Sequence, residues 1–374
     1  MPYQIDRRDA LRGAVLGVTG LAANVTGYSA LLAAKPGRSL PGFFDDLERR
    51  TFRFFWERTD PRTGLVPDRW PTPSFASIAA IGHGLTVYAL GAERGWVSRA
   101  EARTRTLNTL RFLYNLPMGP EANGVAGYKG FFYHFLNSQT GLRHGQTELS
   151  TIDSSMLFLG MLFAAGWFDR NDSAEREIRH LATEMVERAE WDWFQQGGTG
   201  IPMGWHPEHG FISRIWDGYN EGKMAYILAL GATRHSAPDG SWDTWTKPYP
   251  AFWRGEGETH RLAFAPLFGH QFSEIWIDFR GIRDAPMREA GFDYFENSRR
   301  ATYANRAYCM ANPMGWDLYG KDFWGLSACD GPGNHMVLRN GKEQRFRGYA
   351  AHGPLGEPDE LDDGTLCPAA VISS

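Results

Sequence analysis

Cysteine is scarce in this chain. Its three residues, Cys309, Cys329 and Cys367, show neither CxxC nor metal-like spacing. That excludes a disulfide framework but leaves room for one pair in an oxidising compartment. Charge is also sparse, at 22% of residues with a formal net charge of −4 and no long basic run. Nucleic acid is therefore not the expected partner. There is no GxSxG nucleophile elbow and no GxxxxGK[ST] phosphate cradle, and Gly255-Glu256-Gly257 lacks the strand–helix setting of a dinucleotide loop. His206-Pro207-Glu208-His209 offers two histidines, but the intervening proline spoils the helical geometry of a zinc site. No metal and no cofactor are assigned. Beyond residue 35 no apolar run approaches the length of a membrane span.

Aromatic residues, by contrast, are plentiful, at 14% with 14 tryptophans. Many, such as Trp70, Trp193, Trp205, Trp216, Trp253 and Trp324, fall outside helical patterns, in loops rich in glycine and proline. Indoles placed there line clefts, and a flat apolar face with a polar handle suits a sugar ring. Residues 1–35 read as an export signal. Arg7-Arg8 precedes a weakly hydrophobic run from Ala14 to Ala34, as in twin-arginine signals, so the expected location is the periplasm, with no membrane contact once the signal is removed.

From Phe43 onward the pattern is helix after helix: 43–57, 77–92, 98–115, 154–166, 173–194, 223–231 and about 289–310. Ser98-Arg99-Ala100-Glu101 fits a capping box. The loop 117–148 has enough alternation for a short hairpin against Gly141-Leu142-Arg143-His144. Helices alternate between all-apolar and amphipathic, as expected when an inner ring is wrapped by an outer one, and no linker interrupts 41–374. The expectation is therefore one all-α domain with a few short β hairpins in its loops.

Side chains with chemical potential gather at helix N-termini. Glu221 stands in Trp216-Asp217-Gly218-Tyr219-Asn220-Glu221-Gly222, a glycine-flanked turn opening a buried helix. Glu148 and Asp153 flank the start of the apolar helix that follows the long loop. Glycoside cleavage needs a protonated carboxyl at the leaving oxygen and a carboxylate to activate water or attack carbon, which makes these three the catalytic candidates. Each has a plainer explanation. Asp153 completes a capping box with Ser150, Glu148 would be a solvated surface carboxylate, and Glu221 would complement the helix dipole by about 0.3–1 kcal/mol. Asp68-Arg69 and Asp278-Phe279-Arg280 suit internal ion pairs, and Asp330 suits a turn.

Five ordered motifs carry a resemblance: Gly64-Leu65-Val66-Pro67-Asp68-Arg69, Glu148 to Asp153, Tyr219-Asn220-Glu221-Gly222, Phe268-Gly269-His270-Gln271 with Trp276 to Arg280, and Trp324-Gly325-Leu326-Ser327-Ala328. Together they resemble the bacterial glucoamylase-like family, which includes the endo-β-1,2-glucanases of glycoside hydrolase family 144. The resemblance implies an (α/α)6 barrel and inverting hydrolysis of β-glucans, foremost as an endo-β-1,2-glucanase, without a cofactor; a monomer is expected. Glu221 would be the general acid, and Glu148 and Asp153 active-site carboxylates. It further implies substrate-binding parts for Asp68, Arg69, Trp216, Tyr219, Asn220, His270, Gln271, Arg280, Trp324 and Asp330. Family members continue past Asp363-Gly364-Thr365 with further helices, so the expectation is a barrel incomplete at its C-terminal end. A glycan-binding protein without catalysis and a β-1,2-glucan transglycosylase are the alternative functions.

Overall fold

The computed structural model describes residues 42–339 and 341–374, so the export-signal expectation for residues 1–35 lies outside the described residues. Helices dominate, in the order α1 (Gly42–Glu57), α2 (Ile78–Glu93), α3 (Arg99–Tyr114), α4 (Thr151–Trp167), α5 (Ser173–Glu187), α6 (Trp191–Gln195), α7 (Lys223–Gly231), α8 (Ser241–Thr246), α9 (Phe268–Gln271), α10 (Ala285–Ala290), α11 (Tyr294–Ala311) and α12 (Pro368–Ile372). Strands are short and pair into small two- and three-stranded ribbons in the connections. No helix among the described residues is long and apolar enough to cross a membrane.

The chain gathers into two compact units. One holds the described residues up to Ile215 plus Met224–Ser241, the other Trp216–Lys223 plus Trp242–Ser374. In the first, α2 lies along α4, α3 packs on α2 and α5, and α4 packs on α5. The sequence dictates the layering. α4 is apolar on nearly every side and buries Met156, Leu157, Phe158, Leu159, Met161 and Leu162, so it is enclosed. α5 buries only Glu175, Ile178, Leu181, Ala182 and Met185, one helical stripe, and lies outside it. Two glycines set the contact between α2 and α4. A Cβ on Gly160 would stand 2.1 Å from the Gly82 carbonyl oxygen, and one on Gly82 would stand 2.3 Å from the Met156 carbonyl oxygen. The two backbones touch there, which no other residue permits.

Two expected helices are broken. The run 173–194 ends at Glu187, because the Glu190 N–H is taken by the Lys129 carbonyl at 3.0 Å, and α6 starts afresh. The run 289–310 is α10 and α11, separated at Gly291 (φ +83°), with Asp293 capping α11 through the Glu296 N–H. α4 begins earlier than expected, at Thr151, because Ser150 is its cap. The Ser98–Glu101 capping box is present with both reciprocal bonds, and the expected hairpin forms, with Leu136 bridged to Arg143.

In the second unit Cys309, Trp316, Tyr319 and Leu326 form a core. Asp362 is buried at its edge and accepts from Tyr308 Oη (2.8 Å), Trp316 Nε1 (2.9 Å) and Tyr319 Oη (2.8 Å). Three donors on one carboxylate satisfy a group that would otherwise be costly to bury. Its neighbour Asp363 accepts from the Arg347 and Thr365 N–H groups and lies 3.1 Å from His352 Nδ1.

Candidate active site

Glu148 and Asp153 are brought together in the first unit by a residue that the sequence reading left out. Leu149–Ser150 pairs antiparallel with Gly204–Trp205, and the preceding loop folds back so that the His134 N–H donates to the Glu148 carbonyl at 2.9 Å. The His134 ring then lies between the two acids, with Nδ1 2.8 Å from Glu148 Oε1 and Nε2 3.3 Å from Asp153 Oδ1. Asp153 also accepts 2.6 Å from the Ser150 hydroxyl, while its own N–H caps back onto Ser150 Oγ. Gly204 makes room, since a Cβ there would press 2.9 Å on Glu148 Cγ. The three side chains are 29%, 26% and 13% exposed for His134, Glu148 and Asp153.

Electrostatics separate the acids. Burial pushes Asp153 up, and His134 and Ser150 offset only part of that. Burial also pushes Glu148 up, but the His134 hydrogen bond and charge overcome it and hold Glu148 below its usual range. For His134, burial disfavours the cation, yet Asp153, Glu148 and Asp68 together raise it to about 9. The ring is therefore an imidazolium at neutral pH, hydrogen-bonded to Glu148 and ion-paired with Asp153. His134, Glu148 and Asp153 also present ligand atoms within 4.8 Å of one another, as do Glu190, Asp192 and His235. In the first set both ring nitrogens are already engaged by carboxylates, so the cluster is internally paired.

The pH dependence follows from that geometry. A folded pKa of about 9 against an ordinary 6.5 means that the stabilisation is complete below about pH 6.5 and is lost as pH rises through 9. Wild type should lose on the order of 2 kcal/mol across that window. His134→Gln should flatten this slope in melting temperatures taken from pH 6.5 to 9.5. An unchanged slope in the variant would remove His134 as its source.

Aromatic rings border the cluster. Phe135 stacks on His134 at 3.9 Å, and Phe75 packs on Phe135 at a tilt with centroids 4.1 Å apart. Trp205, in register with Leu149, packs with Tyr128 and Trp193 at 5.6 Å each. All three are partly exposed, a wall of the kind sugar rings use. Asp68 pairs with Arg69 at 3.0 Å in the same unit.

Glu221 belongs to the second unit, in a turn locked from within. Asn220 Nδ2 donates to the Asp217 carbonyl at 2.8 Å, and its Oδ1 accepts the Gly222 N–H at 2.9 Å. Gly218 takes φ +69°, where a Cβ would strike Phe252 at 2.2 Å. Glu221 is 8% exposed and Trp216 9%. Tyr219 and His270 are fully buried, their rings tilted with centroids 4.7 Å apart, so these two support the turn from below instead of lining a surface. Burial and the Lys223 and Arg261 charges hold His270 well below its usual range, as a neutral ring.

Beneath them Lys223 Nζ donates to Tyr219 Oη at 3.1 Å and sits 4.4 Å over the Phe279 ring. Glu274, also missed in sequence, is raised to about 7 by burial, against the pull of Lys223 and Ser298. No local motif announces Glu274 or His134, because their neighbours are distant in sequence.

The other substrate-binding expectations divide by location. Arg280 is tied to Asp278 by bonds of 2.7 and 2.8 Å in the open. Gln271 is spent on the chain itself, donating to the Ala370 carbonyl (2.8 Å) and to Ser374 Oγ (3.0 Å). Trp324 packs against the Cys309 core, while Asp330 is exposed.

Residues 213–374 match the family described as "Glycoamylase: Putative glucoamylase". Over those residues the chain is similar to the glucoamylase-like proteins. Among solved structures it resembles a "putative glucoamylase" of Bacteroides uniformis, at 27% identity and a TM-score of 0.71 over 85% of this chain and 75% of that one. It resembles in fold the endo-β-1,2-glucanase of Chitinophaga pinensis, at 24% identity and a TM-score of 0.71 over 86% and 76%. A curated relative is the exo β-1,2-glucooligosaccharide sophorohydrolase (non-reducing end) of Parabacteroides distasonis, 26% identical over 88% of this chain and 46% of that protein. The chain thus spans about half the length of that relative.

Proposed function

We propose that this chain is a glycoside hydrolase of β-glucans, acting on β-1,2-linkages with inversion and built on the (α/α)6 plan that the resemblance implies. The observation that carries the reading is the His134 clamp. In a chain related to a β-1,2-glucooligosaccharide sophorohydrolase, one imidazole joins two carboxyls whose surroundings drive their proton affinities apart. The clamp keeps Glu148 ionised at neutral pH despite its burial, as a carboxylate that serves glycoside cleavage must be.

In this reading Glu221 is the general acid at the leaving oxygen. Glu148, held ionised, and Asp153 are the active-site carboxylates of the first unit, with the imidazolium between them. The partly exposed indoles Trp205 and Trp193 hold glucosyl rings. The Arg7-Arg8 segment supports export to the periplasm, where such a polymer would be met.

The test is release of reducing ends from β-1,2-, β-1,3- and β-1,4-glucans, with the product anomer followed by NMR. Selective cleavage of β-1,2-glucan to the inverted anomer is expected. Oligosaccharide binding without turnover would overturn the hydrolase reading, and larger or cyclic products would replace hydrolysis with transfer.

A further inference from the structure

The scarcity of cysteine makes the placement of two of them informative. Cys329 lies on the strand Ala328–Asp330, and Cys367 precedes α12. The segments around them run side by side: the Cys367 N–H donates to the Gly325 carbonyl at 2.8 Å, and a Cβ on Gly325 would stand 3.1 Å from the Cys367 carbonyl oxygen. The sulfurs reach across reciprocally. Cys367 Sγ is 3.6 Å from the Ala328 carbonyl oxygen, and Cys329 Sγ is 3.9 Å from that of Leu366. Each thiol thus contacts the residue just before the other cysteine, and both share one apolar cluster with Leu267 and Ala370. All three cysteines are thiols in this structure, and Cys309 lies in a different cluster, with Trp316 and Tyr319.

We propose that Cys329 and Cys367 are a disulfide-forming pair, closed by thiol–disulfide exchange with a disulfide-class oxidant. The chemistry is balanced by the oxidant alone. The Cys367 thiolate attacks one oxidant sulfur, and the other half leaves as a thiol. Cys329 then gives up its proton and displaces the remaining half from Cys367 Sγ, so two protein thiols become one disulfide and the oxidant becomes two thiols. The surroundings favour this order. A hydrogen bond from Cys329, reinforced by the Ala370 and Ala369 N–H groups, lowers Cys367 to about 6, while the same bond raises Cys329. A low-pKa thiol is the better starting nucleophile; Cys367 is buried at 5% exposure, and Cys329 beside it is the partly exposed member of the pair. The bond would fasten the segment before α12 to the strand Ala328–Asp330. Its occurrence is independent of the glycan reading.

The experiment uses the full chain, incubated natively with oxidised or reduced glutathione, alkylated after denaturation and mapped by non-reducing peptide mass spectrometry. The expected result is one cross-linked peptide joining Cys329 to Cys367, with Cys309 recovered alkylated. Wild type should also melt about 5 °C higher when oxidised than when reduced, and Cys329→Ser should abolish that difference. The peptide map of wild type decides the matter even where the variant folds poorly. Alkylation of both cysteines after oxidation, a persistent glutathione adduct on either, or cross-links that include Cys309 would each overturn the assignment.

Discussion

Glu221→Gln is expected to lower kcat on β-1,2-glucan by about 10²–10⁴-fold, the range that general acid catalysis contributes. KM should change little, because the lost proton matters only as the bond breaks. The substitution is close to isosteric, and the turn has closures of its own. Asn220 closes it through Asp217 and Gly222, and Gly218 donates to the Trp245 carbonyl at 2.8 Å. An unfolding midpoint equal to wild type should therefore accompany the loss of rate. An undiminished rate would remove Glu221 from the chemistry and leave the cluster around His134 as the place to look.

Gly160→Ala is expected to destabilise the first unit by about 3 kcal/mol, at the upper end of ordinary overpacking. The added carbon would sit 2.1 Å from the Gly82 carbonyl oxygen and 2.6 Å from Gly82 Cα. Those are backbone atoms, which cannot rotate aside, so α4 must move away from α2 along their length and the apolar contacts between them open. Against a total of about 5–15 kcal/mol, such a loss is large. Gly166 in the same helix is the control, since nothing lies within 4 Å of a Cβ there. Gly166→Ala should be neutral or stabilise by up to about 1 kcal/mol. Chemical denaturation of the two variants would show the contrast, and equal midpoints would mean that the crossing of α2 and α4 is not so close.

The alternation of apolar and amphipathic helices was legible in the sequence because it is a local property: α4 has no polar face to expose, and α5 has one. Caps were legible for the same reason, Ser98 with Glu101 being four adjacent residues. What was hidden was decided at a distance. The break before Trp191 comes from a carbonyl at Lys129, and the partner of Glu148 and Asp153 is a histidine in the preceding loop, delivered by a backbone pairing that no short motif encodes. Burial was hidden too. Tyr219 and His270 carry polar groups in loop-like sequence and look like contact residues, yet both lie fully beneath the surface. Gln271 reads as a binding amide and serves instead as a fastening for the last residues.

The imidazolium between Glu148 and Asp153 has one more consequence, for ionic strength. Two carboxylates this close would ordinarily attract a counter-ion and respond to whichever cation the medium supplied. Here the compensating charge is covalently part of the chain and recessed, where mobile ions screen poorly. Added salt should weaken an open pair such as Arg280 with Asp278, 65% and 56% exposed, and leave the recessed trio as it stands.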